Sequence, residues 1–125
     1  MAAATNANLL QGVGIGRGTA VGPVIRMPDP VPQPADTASE RTPDEEAQRA
    51  REALTATATQ LRQRGESAGG TAAEVLDALA MMAEDPALAA DVQHRTEDGA
   101  TAEYAIHAAM GSFRDMLVGM GGYLG

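Results

Sequence analysis

The stretch Thr42-Pro43-Asp44-Glu45 decides the fold, because it marks the start of a long helix. Thr42 can cap a helix, Pro43 suits the first helical position, and Glu45 completes a capping box with Thr42. Just before it, every second residue from 28 to 34 is proline, which denies helix and sheet hydrogen bonds and favours extended chain. The sequence therefore predicts an extended linker followed by a helical region.

The first helix is predicted to have one buried face, because its apolar positions are spaced three and four residues apart. Polar residues such as Glu46 and Arg49 fall between them and are predicted to face water. We expect this helix to end at Gly65. The predicted buried face consists of Ala47, Ala50, Leu54, Thr57 and Leu61.

A second helix is predicted after Gly69-Gly70, because Thr71 and Glu74 have the spacing of another capping box. Its predicted inner stripe consists of Val75, Leu76, Leu79, Met82 and Ala83. Asp85 and Pro86 then favour the start of a short helix that ends near Arg95.

Thr101 can cap a third main helix, predicted over residues 104–118. Its predicted stripe consists of Ile106, Ala109, Phe113, Met116 and Met120. The fold class is therefore mainly α, built from antiparallel helical hairpins.

The chain before the linker reads differently, with β-prone pieces punctuated by glycines. Residues 1–8 show no periodicity and are predicted to be flexible, whereas residues 9–27 predict one or two short strands with a tight turn. These glycines never fall in a G-x-G-x-x-G register, so a nucleotide-binding loop is not favoured. The predicted division is 1–8, 9–27, a linker over 28–42 and a helical region over 43–125.

Composition excludes several kinds of active site. The sequence has neither cysteine nor lysine, which removes thiolate chemistry, Walker-type lysines and Schiff bases. His94 and His107 fall on different predicted helices, without carboxylates at zinc-ligand spacing. Asp85 lies beside Glu84 but is explained by its capping role. We therefore predict no catalytic, cofactor-binding or metal-binding residue in this chain.

Charge is concentrated in the second half. Residues 67–125 hold two arginines against nine acidic residues, a net charge of −7 out of −8 for the chain. This balance repels nucleic acid and anionic lipid and favours a partner with a basic face. A surface that merely keeps the protein soluble is the alternative. With no apolar run of about 20 residues, we expect a cytoplasmic protein that binds neither membranes nor nucleic acid.

Met81 is the clearest candidate for a binding residue, because it lies off the inner stripe in an acidic neighbourhood. Methionine is frequent at adaptable binding surfaces. An exposed Met81 beside Asp85 would suit a basic partner. Alternatively, Met81 packs on the following helix, and the residues alone do not decide between the two.

Two segments together carry a family resemblance. Residues 12–22 (GVGIGRGTAVG) and 81–88 (MMAEDPAL) resemble, in order and separation, segments of enzyme I of the bacterial phosphoenolpyruvate–sugar phosphotransferase system. Ala100-Thr101-Ala102 and Gly122-Tyr123-Leu124 continue the likeness.

The resemblance implies an α/β part that carries a phosphorylated histidine, and an inserted bundle of two helical hairpins that docks the phosphocarrier protein HPr. Residues 9–27 would then be the first strand segment of the α/β part, left as an orphan. Residues 43–125 would form the HPr-binding bundle without its fourth helix. The full-length enzyme would transfer phosphate from phosphoenolpyruvate, with magnesium, through the histidine to HPr. This chain alone is expected to be inactive, because the phosphohistidine motif and the phosphoenolpyruvate-binding barrel would lie beyond its end.

The resemblance also implies which residues meet HPr. On the second-helix side they are Met81, Met82, Asp85 and Leu88, and on the third-helix side Met110, Arg114, Leu117 and Tyr123. Gly70, Thr71 and Ala73 stand where familiar members have acidic residues, and Leu79 where some have histidine, which implies a weaker acidic rim.

A different class of function is also compatible with the sequence. If no fourth helix covers the inner stripes, their apolar side chains favour association. The chain would then be a helical self-association module, forming a homodimer or a larger assembly. The orphan strand would be disordered, pair with its copy or lie on the helices.

Overall fold

The computed structural model describes residues 8–122, and in them the chain forms four α-helices. They are α1 (Pro43–Ala68), α2 (Gly70–Ala83), α3 (Pro86–Glu97) and α4 (Ala102–Met120). The predicted mainly α class is confirmed. The chain divides into two units, one ending at Pro30 and the other beginning at Val31, and this division falls inside the predicted linker.

Residues 8–30 are exposed and form no strand, so the strands predicted over residues 9–27 are not confirmed. A strand needs the hydrogen bonds of a neighbouring strand, and the described residues offer one isolated bridge, between Ala38 and Ala100. The predicted flexible start, residues 1–8, lies outside the described residues except for its last position.

Three predicted helix caps are confirmed. The Glu45 amide donates to Thr42 Oγ1 at 3.3 Å while the Thr42 amide donates to Glu45 Oε2 at 2.9 Å, which completes the capping box of α1. Asp85 Oδ1 accepts from the Ala87 amide at 2.7 Å at the start of α3. Thr101 caps α4 in the same way. These short-range hydrogen bonds fix where each helix begins.

The predicted end of α1 at Gly65 is wrong, because the helix continues to Ala68. Gly65 is buried, and a Cβ added there would lie 3.5 Å from the backbone of Ala73 on α2. This is an ordinary van der Waals distance, so Gly65 packs against α2 within a continuous α1 and does not interrupt it.

Helices α1 and α2 are joined directly by Gly69. Gly69 and Gly70 have φ angles of 68° and 55°, a left-handed conformation that glycine adopts without a steric penalty. The capping box predicted at Thr71 is wrong: α2 already begins at Gly70, and no side chain caps it.

The core is small and rich in alanine. Helix α1 contacts each of the other three helices, and α3 and α4 pack on each other. Ala58 of α1 and Ala80 of α2 are fully buried. The main cluster, between α1, α3 and α4, consists of Ala50, Leu88, Val92, Ala102, Ala105 and Ala109.

The predicted inner stripes are only partly buried. Ala47, Ala50 and Ala109 lie in the interior as predicted. Other members of the stripes are exposed, namely Val75, Leu79, Met116 and Met120. The apolar surface thus continues beyond what the four helices bury.

Candidate docking surface

The corner between α2 and α3 places three of the predicted docking residues on the surface or beside it. Met81 is 57% exposed in the last turn of α2, so it does not pack into the interior. Met82 and Asp85 are half-buried, and Asp85 uses its carboxylate to cap α3. Of the two alternatives that the sequence left open for Met81, the structure shows the exposed one, beside a carboxylate that is fixed by capping.

Leu88 is placed differently from its neighbours in the sequence motif. It is only 3% exposed and lies in the main core cluster. Its side chain packs inside the core and offers almost no surface to a partner.

An apolar groove lies between α2 and α4. It has a volume of about 290 Å³ and opens between α1, α2 and α4. Met82 from α2 and Met110 from α4, two of the predicted docking residues, both line it. The rest of its lining is Ala53, Leu54, Thr57, Leu61, Leu79, Ala83 and Ile106.

The remaining predicted residues lie toward the end of α4. Arg114 is exposed and pairs with Asp115 at 3.2 Å, and Leu117 is half-buried. Met110, Arg114 and Leu117 are spaced by four and three residues, so they share one face of α4. Tyr123 lies outside the described residues.

Arg62 of α1 bridges to the acidic side of this surface. Its guanidinium donates two hydrogen bonds to the Glu84 carboxylate, at 2.8 and 2.6 Å, and its Nε lies 3.5 Å from Asp77 Oδ1. The hydrogen bonds from Arg62 hold the pKa of Glu84 below its usual range, outweighing the opposite effect of burial. Glu84 is therefore a paired carboxylate at the edge of the candidate surface.

A second charged site lies at the other end of α1, and sequence reasoning missed it. Glu46, predicted to face water, is completely buried. Its carboxylate accepts hydrogen bonds from the Ser39 hydroxyl at 2.6 Å, from Arg49 at 2.7 Å and from the Ala102 amide at 2.8 Å. Glu46 therefore ties the chain before α1 to the N-terminus of α4, where a negative charge is favourable.

The pKa of Glu46 reflects these contacts. The hydrogen bond from Ser39 has the largest effect, and those from Ala102 and Arg49 add to it, so the pKa falls to about 2 although burial alone would raise it. No pattern in the sequence pointed to this site, because the Ala102 amide is 56 residues away.

Residues 8–122 show neither a cluster of metal-binding side chains nor a membrane-spanning helix. These residues hold no group of three or more histidine, aspartate or glutamate side chains that could bind a metal ion. No helix in this part of the chain combines the length and the apolar character needed to cross a membrane.

Comparison with known proteins supplies the family. Residues 11–125 match the family model described as PEP-utilising enzyme, N-terminal. The chain is also 44% identical, over 119 residues, to the phosphoenolpyruvate-protein phosphotransferase of Streptomyces coelicolor, covering 92% of this chain and 21% of that protein. The chain thus spans about a fifth of the length of this relative. No solved structure matches. The chain therefore belongs to the family of PEP-utilising enzymes and corresponds to their N-terminal region.

Proposed function

We propose that this chain is the HPr-docking portion of an enzyme I, whose full-length form transfers phosphate from phosphoenolpyruvate through a histidine to HPr in sugar uptake. The family membership and the identity to a phosphoenolpyruvate-protein phosphotransferase support this proposal. The role of this chain would be recognition of the partner, with no catalytic residue among those described. Cytoplasmic location and the magnesium requirement of the full-length enzyme remain predictions.

The surface around Met81 is the observation that carries the proposal. Asp77 and Met81 are spaced by four residues on α2 and Glu84 directly follows the helix, so an exposed methionine lies between two carboxylates near the end of α2. An adaptable apolar side chain with an acidic border suits a partner that presents both basic and apolar groups.

Binding would use the two parts of this surface differently. Apolar groups of HPr would bury Met81 and the groove between Met82 and Met110, and this burial would supply most of the affinity. The acidic residues would mainly accelerate the approach of a basic face and orient it. Arg114 on α4 would contribute a polar contact at the border.

Titration of ¹⁵N-labelled HPr from the same organism tests the proposal. We expect shifts in the basic active-site face of HPr, and we expect the Met81→Ala variant to bind about tenfold more weakly. The stability of this variant should stay close to that of the original protein, because Met81 buries little surface in the fold.

Met120→Ala is the matched control, since Met120 is an exposed methionine on α4 outside the predicted docking set. Equal binding of HPr by the Met81 and Met120 variants would show that Met81 is not part of the docking surface. An absence of shifts in labelled HPr would reject the docking function itself.

Self-association is a second candidate function, favoured by the exposed apolar residues. Val75 and Leu79 on α2 and Met116, Val118 and Met120 on α4 are all more than a third exposed. Exposed apolar surface of this kind promotes association. We expect sedimentation velocity to show a homodimer or a larger species that increases with protein concentration. A single monomeric species at the highest concentration would contradict this candidate.

A further inference from the structure

Arg62 on α1 faces the acidic side of α2. Its guanidinium lies within ion-pair distance of two carboxylates that are separated by two helical turns, Glu84 at 2.6 Å and Asp77 at 3.5 Å. All three side chains are partly exposed, with 39% of the Arg62 side chain accessible. These two ion pairs therefore lie at the protein surface, where their charges act on an approaching molecule.

The contacts of Arg62 reduce the negative charge around Met81. Asp77 on α2 and Glu84 at its C-terminal cap both contact Arg62 and precede and follow Met81 in the chain, and Asp85 follows Glu84 directly. Arg62 lowers the summed charge of these three carboxylates from −3 to −2. Its shortest contact is with Glu84, which adjoins the corner between α2 and α3. The attraction of a basic face depends on the summed charge within about 10 Å at moderate salt.

We infer that Arg62 attenuates the electrostatic attraction between the Met81 surface and a basic partner, and thereby sets the rate of their association. The inference rests on the proposed function, because it assumes that HPr binds at Met81. A purely structural role of Arg62, holding α2 against α1, is the alternative and predicts no dependence of the association rate on this residue.

Stopped-flow measurement of HPr association with the Arg62→Gln variant tests the inference. We expect the association rate constant to rise about threefold at low ionic strength and to approach the original value at high salt, because steering is screened by ions. The dissociation rate should change little. Glutamine retains a long polar side chain while removing the charge.

Arg64→Gln is the matched control. Arg64 is exposed on the same helix, about 200° around it from Arg62, and among the described residues it forms no ion pair. The control changes the net charge of the protein by the same amount, so an effect confined to Arg62→Gln isolates the position. Equal effects of the two variants would overturn the inference.

Other outcomes separate the inference from the proposed function. An unchanged or slower association of Arg62→Gln, with HPr still binding at Met81, would overturn the inference alone. Loss of HPr binding by the original protein would overturn both. If Arg62→Gln does not fold, Arg62→Met takes its place: methionine is neutral and keeps a long side chain, so the same rise in association rate is expected, and an unchanged or slower rate would overturn the inference.

Discussion

Replacing Glu46 with alanine is expected to lower the free energy of unfolding by about 3 kcal/mol, because it leaves one buried and two half-buried donors without their acceptor. The Ala102 amide, the Ser39 hydroxyl and the Arg49 guanidinium each donate to this carboxylate. Urea unfolding followed by circular dichroism measures the loss. Glu52→Ala is the control, since exposed Glu52 forms only a local hydrogen bond with Gln48. Similar losses in both variants would mean that the Glu46 contacts contribute no special stability.

The loss of stability at acid pH gives an independent measurement of the contribution of the Glu46 carboxylate. The pKa of Glu46 is about 2 in the folded protein against an ordinary value of 4.5. Stability from this group is therefore complete above about pH 5 and is lost as the pH falls toward 2, a change of about 3 kcal/mol. Glu46→Gln should be less stable at neutral pH and should lack this part of the pH dependence. If Glu46→Gln lost as much stability at acid pH as the original protein, the assignment of this loss to Glu46 would be contradicted.

Replacing Leu88 with alanine is expected to cost about 3 kcal/mol, because the side chain is buried in the main cluster and its loss leaves a cavity. The loss should appear in urea unfolding. Leu79→Ala is a matched control: Leu79 is 43% exposed at the groove, so its truncation should cost much less.

The same variant separates packing from docking. If Leu88 acts only from within the core, the fraction of Leu88→Ala that remains folded should bind HPr as tightly as the original protein. Normal stability combined with weak binding would instead show that Leu88 meets the partner directly.

The features that sequence predicted well depend on neighbouring residues. Thr42 with Glu45, Asp85 and Thr101 each cap a helix through hydrogen bonds that span two or three positions. Such signals are complete within a few residues, so the four-helix order could be predicted without knowing how the helices pack.

The errors arose where a distant contact decides the outcome. Gly65 was predicted to end α1, but it is buried against Ala73 of α2 and the helix continues past it. Glu46 was assigned to the wet face because its partner on α4 could not be seen from the local pattern. Residues 9–27 have β propensity but no neighbouring strand in the described chain, and propensity alone does not make a ladder.

The candidate surface remains a prediction, and the structure shows where its residues lie. The exposure of Met81 and the shared groove of Met82 and Met110 agree with a surface that crosses α2 and α4. The position of Leu88 in the interior and the pairing of Arg62 with Glu84 required the packing of helices that are distant in sequence.

Gly69 alone separates α1 from α2, so these helices pair without a long loop to close. The contact between Glu46 and the start of α4 instead spans 56 positions, and closing such a distance costs more chain entropy. The pairing of α1 with α2 therefore needs little loop closure, whereas the docking of α4 requires a long stretch of chain to be closed. Acid weakens both contacts, because it protonates Glu46 beside α4 and also Glu84, which accepts hydrogen bonds from Arg62 of α1.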